Sequence, residues 1–189
     1  MESRTAYLLL VAVVALVRLG ELAWAKRNVA RLLRQGAREA APGHYRWMVL
    51  LHTSFLIAAP LEVWLFRRPL IVPLAVAAGL ALVLAMALRF WVLATLGERW
   101  TTRILYLPGV PPVTGGPYRY LRHPNYLAVV TEIAALPLIH TAWCTALAFT
   151  LLNALLLRVR IRAEEAALRE ASSYDALFAG KPRLVPGGR

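Results

Sequence analysis

Long apolar runs alternate with short basic segments along the chain. Residues 5–24, 47–66 and 70–96 are each almost wholly apolar, and each reaches the roughly 20 residues a helix needs to cross a bilayer core. The stretch 124–157 is too long for one crossing and carries Pro137 and His140 near its middle. It divides into helices over about 124–139 and 142–158, joined by a tight turn. The first of these is short for a full span, so tilt or local thinning of the bilayer is expected. The pattern predicts an all-α integral membrane bundle of about five transmembrane helices, because a helix satisfies every backbone group within its own segment. Residues 1–84 hold the first two helices and the start of the third. Residues 85–189 hold the rest of the third, a polar loop, the last two helices and a polar tail. Ala23-Trp24-Ala25 resembles a cleavage site, but Arg18 and Glu21 interrupt the apolar run before it, so the first helix is expected to be retained.

Composition changes the picture through charge. The 189 residues are 59% hydrophobic, yet 22 Lys+Arg stand against 10 Asp+Glu, a net charge of +12. Soluble domains are typically about 45–50% apolar. The loop 25–46 holds six basic residues (Lys26, Arg27, Arg31, Arg34, Arg38, Arg46), the loop 97–123 four and the tail 158–189 seven. The other side receives only Arg4, Arg67 and Arg68. The positive-inside rule then puts the N-terminus outside and the C-terminus in the cytosol. The charge labels topology and attracts anionic membrane lipid, which leaves no support for a nucleic-acid partner. One cysteine, Cys144, excludes a disulfide framework and a multi-thiolate zinc site; no metal is expected.

Arg18, Glu21, His52, Glu62, Arg89 and Glu132 fall inside the proposed spans. Such residues are costly in lipid and face a bundle interior or a wet cavity. Arg89 and Glu132 each lie about eight residues from the cytosolic ends of their helices, roughly 12 Å deep. All but Glu62 fall in the cytosolic half, which predicts a polar cavity opening to the cytosol. Arg18 and Glu21, three apart, are equally a structural pair or functional. Glu62 reads as a boundary residue near Arg67 and Arg68. His52 is either a hydrogen-bonded core histidine or a substrate ligand. Arg89 has no acidic neighbour on its own helix, so its partner comes from another helix or a ligand.

Two polar motifs follow. In Gly115-Gly116-Pro117-Tyr118-Arg119-Tyr120-Leu121-Arg122-His123-Pro124-Asn125-Tyr126, the glycines and Pro117 make a turn, and Pro124 suits a first helical turn while holding His123 out of helix. The plain alternative is an interfacial belt of Tyr and Arg. In Arg158-Val159-Arg160-Ile161-Arg162-Ala163-Glu164-Glu165, Arg160 and Glu164 share a face if the last helix continues, while Glu165 has a surface partner in Arg169. The alternative there is a solvated charged helix.

GPYRYLRHPNY followed by two spans and RIRAEE resembles the isoprenylcysteine carboxyl methyltransferase family, integral membrane enzymes that use S-adenosylmethionine. Leu96-Gly97 with Trp100, Tyr174-Asp175-Ala176-Leu177-Phe178 and Lys181-Pro182-Arg183-Leu184-Val185-Pro186 extend the likeness over about residues 85–187. The resemblance implies a cofactor pocket formed by Tyr118, His123, Pro124, Tyr126, Arg160, Glu164 and Glu165. It implies an essential role for Arg89, and the residue chemistry adds Tyr126 and Glu132 as catalytic candidates, with Arg89 and His52 as acceptor ligands. The expected reaction is methyl transfer to a carboxylate or hydroxyl oxygen of a lipophilic small-molecule or prenylated acceptor, with positioning supplying most of the acceleration. Glu132 is a general base or an ion-pair partner of Arg89. His52-Thr53, Glu62 and Glu132 look more like a bacterial subgroup associated with O-methylation of alkylpyrone or alkylresorcinol products. Ala- and Arg-rich, Lys-poor usage is compatible with a GC-rich bacterium, and the expected location is the bacterial cytoplasmic membrane. A phospholipid N-methyltransferase and a small membrane transporter are the competing readings.

Overall fold

A computed structural model describes residues 2–184. It is mostly helical, with six helices: α1 (Glu2–Arg34), α2 (Tyr45–Leu65), α3 (Val72–Leu96), α4 (Pro124–Leu138), α5 (Trp143–Ala171) and the short α6 (Tyr174–Leu177). Helices in Glu2–Arg34, Pro42–Leu65, Val72–Arg99 and Trp143–Ala171 are long and apolar enough to cross a membrane, so the chain is a multi-pass membrane protein.

Four spans replace the expected five, and the difference is α4. Its fifteen residues cover only about 22 Å, short of a bilayer core. It is instead the enclosed centre of the bundle, with nine of its residues buried, among them Ala128, Val129, Glu132, Ile133 and Leu136. α3 lies along it and presents Ala78, Leu82, Ala85, Arg89 and Val92 on one stripe. Alanines on both helices let their backbones approach closely, the packing device of helices in lipid. Pro137 is the penultimate residue of α4, and Ala142 N–H bonds back to its carbonyl at 2.9 Å.

α1 runs ten residues past the apolar run because its buried stripe does not stop there. Tyr7, Val11, Val14, Glu21, Ala25, Asn28 and Leu32 are buried at three- and four-residue steps, with half-buried Arg18 filling the gap between Val14 and Glu21, the seam of a long packed helix. The segment 25–34, expected as loop, therefore stays helical, with Lys26, Arg27, Arg31 and Arg34 off the seam. Asn28 fixes it to the loop after α3 by donating to the carbonyls of Trp100 (2.9 Å) and Gly97 (3.2 Å). The all-α expectation needs one further correction. β1 (Arg38–Ala40) and β2 (Ile104–Tyr106) form an antiparallel ribbon, pairing Arg38 with Tyr106 and Ala40 with Ile104. The ribbon clips the α1–α2 connection to the α3–α4 connection.

The main apolar core lies away from these loops, around Tyr7, Val11, Val14, Phe55, Val63, Leu82, Ile133 and Leu136. Outward faces of the long helices carry Leu9, Leu16, Val83, Leu84, Leu147 and Leu155 exposed, as a lipid solvent requires. Glu62, read as a boundary residue, does more than meet Arg68 at 2.7 Å. It also accepts the backbone N–H groups of Cys144 (3.2 Å) and Thr145 (2.7 Å), satisfying free donors at the start of α5 from a different helix.

Candidate functional site

The first turn of α4 and the polar end of α5 face each other. His123, held at φ −130 and ψ 61 by the following proline, stacks its ring on that of Tyr126 at 5.2 Å. Arg160 Nε donates to the Tyr126 hydroxyl at 2.8 Å, and its Nη2 donates to the Thr102 carbonyl at 2.9 Å. The Tyr126 hydroxyl donates in turn to Glu164. The helical spacing of Arg160 and Glu164 thus brackets one phenol from the facing helix.

Glu165 is only 1% exposed, and its reading as a surface partner of Arg169 is incomplete. Arg169 reaches it at 3.1 Å, but so does His123 Nε2 at 3.1 Å, and Arg183 grips it twice, at 2.9 and 2.7 Å. Arg183 comes from the tail, which is stitched along the His123 loop. Arg122 N–H donates to the Pro182 carbonyl at 2.9 Å, and His123 N–H to that of Arg183 at 3.0 Å. Lys181 Nζ donates to the Tyr118 carbonyl at 2.9 Å. Val185 and Pro186, part of the motif in the sequence, lie outside the described residues.

Two cavities meet here. The smaller, about 170 Å³, opens among the loops and is lined by Trp100, Tyr118, His123, Asn125, Tyr126, Arg160 and Glu164. Burial, then the charge of Glu164, pushes the Tyr118 phenol pKa up, so it remains a neutral hydroxyl. The same holds for Tyr174 at the rim, through burial and then Glu165. Pro124 and Glu165 line neither cavity; they shape the loop and anchor it from behind.

The larger cavity, about 410 Å³, lies between α1, α2, α3 and α4. Leu19 and Ile57 on its border are each 60% exposed, so it opens on the outer apolar face between α1 and α2. His52 lines it, with Nδ1 bonded to the Met48 carbonyl at 2.8 Å. At its polar side Arg89 binds Glu132 at 2.8 Å and Glu21 at 3.5 Å. Arg18 binds Glu21 at 2.5 Å and Glu132 at 3.2 Å. The partners missing from Arg89's own helix therefore come from α1 and α4, and Glu132 is its ion-pair partner. Trp100, Thr101, Asn125, Tyr126 and Arg160 border both cavities. Asn125, Thr101 and Thr102 carried no assignment from sequence. Asn125 had a signal, its place inside RHPNY, but the threonines had none.

A family model described as isoprenylcysteine carboxyl methyltransferase matches residues 76–170. The chain is 39% identical over 166 residues to the uncharacterized protein YpbQ of Bacillus subtilis, covering 87% of this chain and 97% of that one. It is 31% identical over 159 residues to an uncharacterized protein of Haemophilus influenzae, covering 83% of this chain and 91% of the relative. The matched segment holds the α3 arginine, the α4 turn and the α5 Arg–Glu face that border the two cavities. By that match, which spans half of its length, the chain belongs to the isoprenylcysteine carboxyl methyltransferase family.

Proposed function

We propose that the protein is an S-adenosylmethionine-dependent methyltransferase acting on an oxygen, carboxylate or hydroxyl, of a lipophilic acceptor. The observation that carries this reading is the pair of cavities of different character that share one wall. The smaller has the donor set for the cofactor. Glu164 offers a carboxylate to an ammonium group, and Trp100, Tyr118 and Tyr126 offer aromatic faces to a sulfonium cation. The cofactor, when bound, supplies an activated methyl group on sulfur.

The chain's own residues do the rest. Arg160 and Tyr126 hold Glu164 in one geometry. His123 fixes the plane of Tyr126, and Glu165 fixes His123 from behind. Pro124 holds the turn that aims both rings. The larger cavity takes the acceptor's apolar body from between α1 and α2. Arg89, Glu132 and His52 bring its polar head to the shared wall. Most of the rate then comes from alignment across that wall. The basic loops and C-terminus face the cytosol of a bacterial inner membrane, with the N-terminus outside.

Calorimetric titration of the purified full chain with S-adenosylmethionine, followed by labelled methyl transfer into a lipid extract, tests the reading. Glu164→Gln is expected to weaken cofactor binding about tenfold or more. Arg89→Lys is expected to retain binding and lose transfer. Absence of cofactor binding by the intact chain would sink the proposal.

A further inference from the structure

In the four-charge cluster beside the larger cavity, Arg18 and Arg89 offset Glu21 and Glu132, so the group is formally neutral. Both oxygens of Glu132 face an arginine, Oε2 hydrogen-bonded to Arg89 at 2.8 Å and Oε1 ion-paired with Arg18 Nε at 3.2 Å. Glu21 uses only Oε2, toward Arg18 and Arg89. Its Oε1 is buried without a hydrogen-bond partner, and Glu21 as a whole is 9% exposed. Arg89 Nε is also buried without a partner. Arg18 Nε, ion-paired with Glu132 at 3.2 Å, likewise makes no hydrogen bond, so the cluster holds one spare acceptor, Glu21 Oε1, beside two spare donors, on three residues that line the same cavity.

A buried polar atom left unpaired is costly, and the chemistry of these atoms selects what would relieve it. A hydroxyl both donates and accepts, so it satisfies Glu21 Oε1 and Arg89 Nε together. A carboxylate only accepts. It would bring a fifth, uncompensated charge into the cavity, at a heavy desolvation cost, and would leave Glu21 Oε1 facing a like charge. Building on the methyltransferase reading above, we propose that Glu21 is the proton acceptor of the larger cavity and that it serves a neutral phenol or enol hydroxyl. The hydroxyl oxygen forms the new bond to the methyl carbon. The carbon–sulfur bond breaks with its electron pair remaining on sulfur, and the hydroxyl proton passes to Glu21 Oε1. Arg18 from the same helix, Arg89 from α3, Glu132 from α4 and His52 from α2 are the charged or titratable groups around it.

The test uses the full chain in detergent micelles with three probes: a long-chain alkylphenol, its O-methyl ether and a farnesylated N-acetylcysteine as the carboxylate. Without cofactor, the wild type is expected to bind the phenol about tenfold or more tightly than the ether. Glu21→Gln is expected to erase that preference. With S-adenosylmethionine, transfer goes to the phenol, and Glu21→Gln lowers its rate about 100-fold. The variant also recovers rate on phenols acidic enough to ionise unaided. Should Glu21→Gln not fold, the wild type alone still decides. Base catalysis gives a rate that depends weakly on phenol acidity, and a steep dependence overturns the proposal. Transfer to the carboxylate probe instead of the phenol overturns it while leaving the methyltransferase reading intact. So does a wild-type rate in Glu21→Gln with loss of rate in His52→Gln, which would make His52 the base. Failure of the intact chain to bind S-adenosylmethionine overturns both.

Discussion

Gly116 has φ +53, and a Cβ placed on it would run into the side chain of Thr95 on α3. Its neighbour Gly115 is extended, at φ −82 and ψ 179, with open space where a Cβ would go. The two glycines look alike in sequence and differ in need. Gly116→Ala is expected to destabilise the fold by about 2 kcal/mol, from left-handed backbone strain plus overpacking. Gly115→Ala should change it by less than about 0.5 kcal/mol. Thermal unfolding in detergent separates the two, and equal effects would refute the close approach. Sequence could mark Gly-Gly-Pro as a turn because turn chemistry is local. Which glycine meets α3 depends on a helix about twenty residues upstream. Glu62 repeats the lesson: its arginine partner, six residues away, was legible, but the α5 backbone it caps lies 82 residues on.

Among elements, long apolar helices were legible because lipid demands an unbroken apolar run. Where they end was not, because the ends are set by packing rather than by lipid. α1 continues to Arg34 on the strength of Ala25, Asn28 and Leu32, a seam whose partners lie at the end of α3 and in the loop after it. The tail is the harder case. Spacing pointed to Arg169 as the partner of Glu165, and the pair exists, but Arg183 and His123 reach the same carboxylate. Three partners on one buried group make their contributions interdependent. Removing either arginine leaves Glu165 two partners; removing both leaves only His123. Arg169→Ala and Arg183→Ala are each expected to cost about 1 kcal/mol or less, as both arginines are substantially exposed. The double variant should exceed their sum by roughly 1 kcal/mol. A double-mutant cycle on unfolding free energies measures this, and simple additivity would mean the tail is not held through Glu165.

For the whole molecule, the basic residues divide the protein into two ends. Seventeen of the 22 Lys and Arg residues fall in segments 25–46, 97–123 and 158–189. Those segments meet in space: the ribbon joins the first two, and the tail is bonded to the loop before α4. Cys144, the chain's single cysteine, is exposed at the opposite end, at the start of α5. In intact cells an impermeant maleimide is expected to label Cys144 from outside. A cysteine placed by Ser172→Cys in a Cys144→Ser background should react only after the inner membrane is opened. The reverse pattern would invert the orientation while leaving the two-ended arrangement in place.

The two cavities touch at Trp100, Thr101, Asn125, Tyr126 and Arg160 but open in different directions, one among the polar loops and one between α1 and α2. For a transferase built this way, neither occupant blocks the other's exit. Binding and release need no compulsory order, and no intermediate has to be parked on the protein between half-reactions. Turnover becomes a matter of simultaneous occupancy, so the aqueous pool and the lipid pool of reactants can each limit the rate independently.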